Sequence, residues 1–266
     1  MRIVRFVDVR GRARFGAQAP DGQIEMLQGD IASGFRPTGK FSKVKRLLVP
    51  FLPPNIYCVG LNFRRHAAEF NLPLPEFPVI FMKPTSALIG PDDPIRLPAC
   101  STHGPEVDYE AELAVVIGKP GRDIDEEEAL DYVIGYTCAN DVSARWWQKN
   151  TGGQWIRGKS FDSFCPIGPA IVTADEIGDP QSLILTSTLN GKVMQQGDTS
   201  DMIFTVAQLI SFISRDTTLL PGTVILTGTP PGVGFARTPA VFLKQGDWIT
   251  ITIDKIGELS NPVKEA

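Results

Sequence analysis

The 266-residue chain is 42% hydrophobic and 21% charged, with a net charge of −4, the profile of a soluble globular protein with one large domain or one plus a small appendage. The mild acidity argues against nucleic acid or an anionic membrane as partner. Arginines scatter among short apolar pairs at the amino terminus, and no segment approaches the 18 or so apolar residues of a membrane span, so neither leader nor anchor is expected and a cytoplasmic location follows.

In chain order, residues 1–50 read as a small β-rich appendage. Arg2–Val9 alternates, Gly11 and Asp21-Gly22 signal turns, and Ile24–Leu27 forms a second apolar stretch. A polar passage over Ser33–Arg46 leads to Pro50, Pro53 and Pro54, a joint to the main domain at 51–266. There Ile56–Val59, Val79–Met82, Tyr109–Ile117, Val133–Ala139, Leu183–Leu189, Thr223–Leu226 and Trp248–Ile253 carry strand signatures. Asn62–Pro78, polar and proline-rich, reads as a mobile lid. Asp125 followed by Glu128 predicts a capping box opening a short helix through Tyr132. Leu189-Asn190-Gly191-Lys192 predicts a type I′ hairpin. Ile203, Val206, Ala207, Ile210 and Ile213 recur at helical spacing, so Asp201–Ser214 is an amphipathic helix whose apolar stripe is core. Cys58, Cys100, Cys138 and Cys165 are widely spaced without a C-x-x-C pattern and read as reduced, mostly buried thiols. The class is mostly β with few helices.

Glu110 and Glu112 stand two apart on the predicted strand VDYEAELAVVIG, hence on one face and about 7 Å apart. Two carboxylates on an apolar strand are costly to bury unless a cation lies between them; a half-solvated acidic face is the plainer alternative. With Asp141 as a third acid the donors are all oxygen, which favours Mg²⁺, Mn²⁺ or Ca²⁺ over zinc. Asp141 is also placed to cap a helix on which Arg145 and Gln148 would share its face. Lys159, flanked by Gly158 and Ser160, is either a surface charge or a group steadying developing negative charge. His66 and Glu69, three apart, suit a dyad in which the carboxylate orients an imidazole general base, against the plainer reading of a loop histidine beside a surface glutamate. His103 reads as a loop residue. VILTGTPPGVG runs from a strand into a tight turn whose hydroxyls and N–H groups could bind a carboxylate, without phosphate-loop spacing.

The segments D-Y-E-A-E-L-A-V-V-I-G, N-D-V-S-A-R-x-x-Q, R-G-K-S-F-D and I-L-T-G-T-P-P-G-V-G, in this order within residues 54–262, resemble the fumarylacetoacetate hydrolase superfamily. The resemblance implies a mixed β-sandwich roll of that family's C-terminal type, usually a homodimer. It implies Mg²⁺ or Mn²⁺ held by Glu110, Glu112 and Asp141, substrate contacts from Arg145, Gln148 and Thr229, and catalytic roles for Lys159 and for His66 with Glu69 on a short lid helix. Asp108 matches no family ligand. The chemistry implied is cleavage of a C–C bond in a 3-acylpyruvate or related β-diketo acid through a pyruvate enolate. Oxaloacetate tautomerisation or decarboxylation, or a related isomerase or lyase reaction, is the alternative, and a non-catalytic metal-dependent metabolite binder is the second. His66 is expected to lie away from the metal until a 2-oxo acid closes the lid, and Arg64 and Arg65 beside it could favour a second substrate carboxylate.

Overall fold

The computed structural model describes all 266 residues. Five strands open the chain: β1 (Arg2–Asp8), β2 (Ala13–Gln18), β3 (Ile24–Asp30), β4 (Gly34–Ser42) and β5 (Val44–Leu48). Strand β1 pairs antiparallel with both β2 and β5, which places Ile3, Val4 and Phe6 under cover. The passage over Ser33–Arg46, expected to be irregular, is the edge strand β4 and then β5. Side chains of β4 are almost all solvated, so its composition reads as a loop while its backbone pairs with β3.

The main part continues with β6 (Ile56–Gly60), helix α1 (Arg64–Glu69), β7 (Val79–Met82), β8 (Leu88–Ile89), β9 (Ile95–Leu97), β10 (Val107–Asp108), β11 (Ala111–Ile117), β12 (Val133–Asn140) and β13 (Ser143–Ala144). Helices α2 (Arg145–Asn150) and α3 (Ile156–Lys159), β14 (Cys165–Thr173), α4 (Ala174–Ile177), β15 (Ile184–Leu189), β16 (Lys192–Asp198), α5 (Val206–Ser214), β17 (Val224–Leu226), β18 (Trp248–Ile253) and β19 (Gly257–Glu265) complete it. The large mixed sheet runs β4-β3-β2-β1-β14-β12-β11-β17-β6-β7, and a second sheet runs β16-β15-β18-β19-β9. The second sheet packs on β11, β12 and β14. Strand β11 is therefore buried on both faces, and its apolar residues run without polar alternation after Glu112. The fold is mostly β, as expected.

Between β15 and β16, Asn190 and Gly191 both have positive φ, at 51° and 81°, the type I′ hairpin that Asn-Gly predicts. Two helix starts differ from expectation. Glu126–Tyr132 is a 3₁₀ helix whose Asp125 makes no side-chain cap. Helix α5 begins only at Val206, because Thr205 and Gln208 form the reciprocal capping box, and Ile203 stays outside it. All four cysteines are free thiols; Cys58, Cys138 and Cys165 are buried and Cys100 is exposed.

Candidate active site

The segment carrying the acids is not one continuous strand from Tyr109. Val107–Asp108 pairs with Ser143–Ala144, the chain steps out at Tyr109–Glu110, and β11 begins at Ala111. The step is anchored at both polar groups of Glu110: its N–H donates to Asn140 Oδ1 at 3.0 Å, and its carbonyl accepts from Asp141 N at 2.9 Å. Ala111, between the acids, is held just as firmly. Its N–H donates to Gln195 Oε1 and its carbonyl accepts from Thr229 Oγ1, at 3.0 and 2.9 Å. Glu110, Glu112 and Asp141 converge, each offering an oxygen within 4.8 Å of the others.

Asp141 does not cap a helix. Val142 and the short strand β13 follow it and α2 starts at Arg145, with Trp146 N donating instead to Glu106 Oε2 at 2.8 Å. Arg145 and Gln148 do share a helix face, and Arg145 Nη1 donates to Gln148 Oε1 at 3.0 Å. The same guanidinium is shared between Asp108 Oδ2 at 2.7 Å and Glu110 Oε1 at 2.7 Å. Asp108 also accepts from Gly234 N and Phe235 N, so it anchors the arginine and the neighbouring turn. It stays outside the acid triad.

Lys159 is buried with its ammonium bridging Glu110 Oε2 at 2.8 Å and Asp141 Oδ2 at 2.7 Å. Helix α3 reaches this position because Gly158 has no side chain: a Cβ there would meet Gln148 N at 2.4 Å and Ala144 O at 2.7 Å. A second buried lysine, Lys83, lies under the site and was not singled out in the sequence. Its ammonium donates to the carbonyls of Val142, Lys159 and Phe164 at 3.1, 2.5 and 2.7 Å. Those bonds use its three protons, so Asp141 Oδ1 sits 2.7 Å from the charge and still lacks a hydrogen bond. The one sequence signal for Lys83 is a charge at the end of an apolar strand.

Burial opposes ionisation of Glu110, but the charges of Lys159 and Arg145 outweigh it and hold the carboxyl well below its usual range. Glu112 goes the other way. Burial, then the like charges of Asp141 and Glu110, push it well above the usual range, although Gly228 N donates to its Oε2 at 2.7 Å. Three clustered carboxylates, one resisting ionisation and another with an oxygen lacking a hydrogen bond, suit a hard divalent cation. The all-oxygen donor set fits such an ion, whether Mg²⁺, Mn²⁺ or Ca²⁺.

Glu110, Glu112, Arg145 and Lys159 line a cavity of about 320 Å³ that also takes in His66, Gln148, Thr229 and Lys149. His66 Nδ1 lies 3.0 Å from Glu69 Oε2, while Glu69 Oε1 accepts from Gly232 N at 2.9 Å. The carboxylate thus fixes the ring and leaves Nε2 as its second nitrogen. Helix α1 is folded against the cavity, and His66 is buried on its wall. Ala67, buried beside it, pins the short helix. Thr229 also lines the cavity. Its hydroxyl proton goes to Ala111 O and its oxygen accepts from Gln195 Nε2 at 2.7 Å, so the hydroxyl has no donor left for a substrate carboxylate. Arg64 and Arg65 are exposed and off the cavity; Arg65 N donates to Asp201. His103 stacks on Trp146, outside the lining. Phe70, Phe81, Trp155 and Phe235 supply the apolar wall.

A family model described as the fumarylacetoacetate hydrolase C-terminal region matches residues 55–264, and one described as Rv2993c-like, N-terminal matches residues 1–50. The chain is 52% identical over 219 residues to oxaloacetate tautomerase fahd2, mitochondrial, of Xenopus laevis, covering 82% of this chain and 68% of that one. It is 51% identical over 211 residues to the 2,4-didehydro-3-deoxy-L-rhamnonate hydrolase of Sphingomonas sp. (strain SKA58), covering 79% and 73%. Among solved structures, a 5-carboxymethyl-2-hydroxymuconate delta-isomerase from Mycobacterium smegmatis superposes with a TM-score of 0.87 at 40% identity over the whole of both chains.

Proposed function

Since the chain belongs to the fumarylacetoacetate hydrolase family, we propose that it is a divalent-metal-dependent enzyme that forms the enol of a small 2-oxo acid, with oxaloacetate tautomerisation as its leading reaction. The observation that carries this reading is a buried acid triad, two of whose members, Glu110 and Glu112, line one cavity with His66, whose ring Glu69 orients. Glu110, Glu112 and Asp141 would hold the ion, which supplies Lewis-acid polarisation of the substrate's keto oxygen. His66 Nε2 takes a proton from the carbon between the two carbonyl groups, and Glu69 stabilises the imidazolium that results. The imidazolium returns the proton to the enolate oxygen, which completes the enol and restores the neutral ring. Lys159 Nζ offers positive charge where the enolate oxygen develops. Gln148 keeps its amide Nε2 for a substrate oxygen, because its Oε1 is occupied by Arg145.

The same pieces serve the hydrolase reading. There His66 would take a proton from water attacking the distal carbonyl of a 3-acylpyruvate, the C–C bond would break, and the pyruvate enol would leave and regain a proton at carbon. The aromatic wall and the 51%-identical hydrolase favour that reaction; the name of the 52%-identical tautomerase favours the first. The test is turnover of oxaloacetate and of acylpyruvates with Mg²⁺ or Mn²⁺, before and after chelation. Glu112→Ala should abolish ion binding and activity together. His66→Ala should abolish cleavage of acylpyruvates outright but leave residual tautomerisation. Activity surviving both chelation and Glu112→Ala would sink the metal reading.

A further inference from the structure

Three cationic side chains other than the histidine line the cavity, and two are already neutralised by the protein. Arg145 is held by Asp108 and Glu110, and Lys159 by Glu110 and Asp141. Lys149 has no carboxylate within ion-pair distance. Its ammonium lies over the Phe235 ring, 3.6 Å from the centroid. Arg145, Gln148 and Lys149 stand at i, i+3 and i+4 on α2, one helix face turned to the cavity. That puts Lys149 about 6 Å further along the helix than Arg145, comparable to the spacing of the two carboxylates in a short 2-oxo diacid. An aromatic ladder completes the wall: Phe235 stacks on Phe70 at 6.1 Å, and Phe70 meets the His66 ring edge-on at 5.2 Å.

We propose that Lys149 is a specificity-determining residue that reads a distal carboxylate, so that the site prefers dicarboxylic 2-oxo acids over monocarboxylic acylpyruvates of the same size. This rests on the 2-oxo acid reading of the cavity. Partial desolvation against the cavity wall, then the charge of Arg145, hold the Lys149 ammonium below its usual range, and a bound anion offsets both effects. Arg64 and Arg65, the arginines that the sequence offered for this task, do not face the cavity.

Oxaloacetate and acetylpyruvate form a near-isosteric pair, a carboxylate replacing an acetyl group. Steady-state kinetics with saturating Mg²⁺ should show that Lys149→Met raises KM for oxaloacetate about tenfold and lowers its kcat/KM relative to acetylpyruvate by a similar factor. Lys149→Arg should keep the preference and Lys149→Glu should invert it. Because the side chain is exposed, the variants should melt with wild type. Equal effects of Lys149→Met on both substrates, or none on oxaloacetate, would overturn the subsite while leaving the 2-oxo acid reading standing. A wild-type protein that turns over neither substrate, with neither protecting it thermally when Mg²⁺ is present, would overturn both.

Discussion

Lys83 and Glu112 show how much of this site is electrostatic construction. Lys83 joins three segments through the carbonyls of Val142, Lys159 and Phe164, so removing its charge strands those groups and leaves Asp141 unbalanced. Lys83→Met should cost about 3–5 kcal/mol, the penalty for breaking a buried ionic contact, and should weaken Mn²⁺ binding; a denaturant melt showing a loss below about 1 kcal/mol would contradict the assignment. Glu112 gives a pH prediction. Burial and its acidic neighbours raise its carboxyl in the folded state, so the folded chain binds that proton more tightly than the unfolded one. Without an ion, stability therefore falls as pH rises from the unfolded value through the folded one. A bound divalent ion removes this cost, and at low pH it must displace the proton first. The rise in Tm given by Mg²⁺ should be larger near about pH 8 than near about pH 5.5. An equal or opposite trend would mean that Glu112 is not a ligand.

Elements decide whether those residues meet, and here the buried Gly158 is decisive. It lets α3 press onto α2, and a Cβ would collide with backbone rather than with a movable side chain. Gly158→Ala should destabilise the chain by about 1–3 kcal/mol and lower turnover well over tenfold, because Lys159 shifts with the helix. Thr205→Ala is the control: it removes the α5 capping box, should cost about 1 kcal/mol, and should spare turnover, since α5 does not line the cavity. Equal kinetic damage from both would deny α3 its positioning role. Sequence reasoning reached the elements whose signal is local. The Asn190-Gly191 turn and the buried runs at β6, β11 and β17 all fall where their patterns put them. It failed where tertiary partners override local preference. Strand β4 looks like a loop because only its backbone is paired, and Asp125 lacks the bond that its capping pattern promised. The acids were recognisable as a set, but their convergence depends on a chain step at Glu110 held by Asn140 and Asp141, which no spacing rule encodes. Lys83 and Gln195 were invisible for the same reason: their partners are distant in sequence.

At the scale of the molecule, the question is what residues 1–50 contribute. By composition they are a detachable appendage, yet β1 is hydrogen-bonded to β14 through Arg2↔Val172 and Ile3↔Ile171, inside the sheet that carries the site. Val4, Phe6 and Ile24 pack on Ala170 of β14, while Ile3, Leu27 and Val49 belong to the main core. Each such side chain stabilises by about 1.5–3 kcal/mol when fully buried, so losing these six removes an amount comparable to the 5–15 kcal/mol that holds a typical domain together. Deletion also opens the edge of β14, a long apolar strand with free backbone groups and a ready template for pairing with another copy. Strand β14 pairs with β12, whose end leads directly into Asp141, so disorder at the new edge lies one strand from the acids. Residues 51–266 expressed alone should therefore aggregate or elute as large species by size exclusion, without the sharp melt and the Mg²⁺-dependent rise in Tm of the whole chain. A soluble 51–266 fragment that melts cooperatively and still gains stability from Mg²⁺ would show that the amino-terminal strands are an accessory laid on a self-sufficient catalytic core.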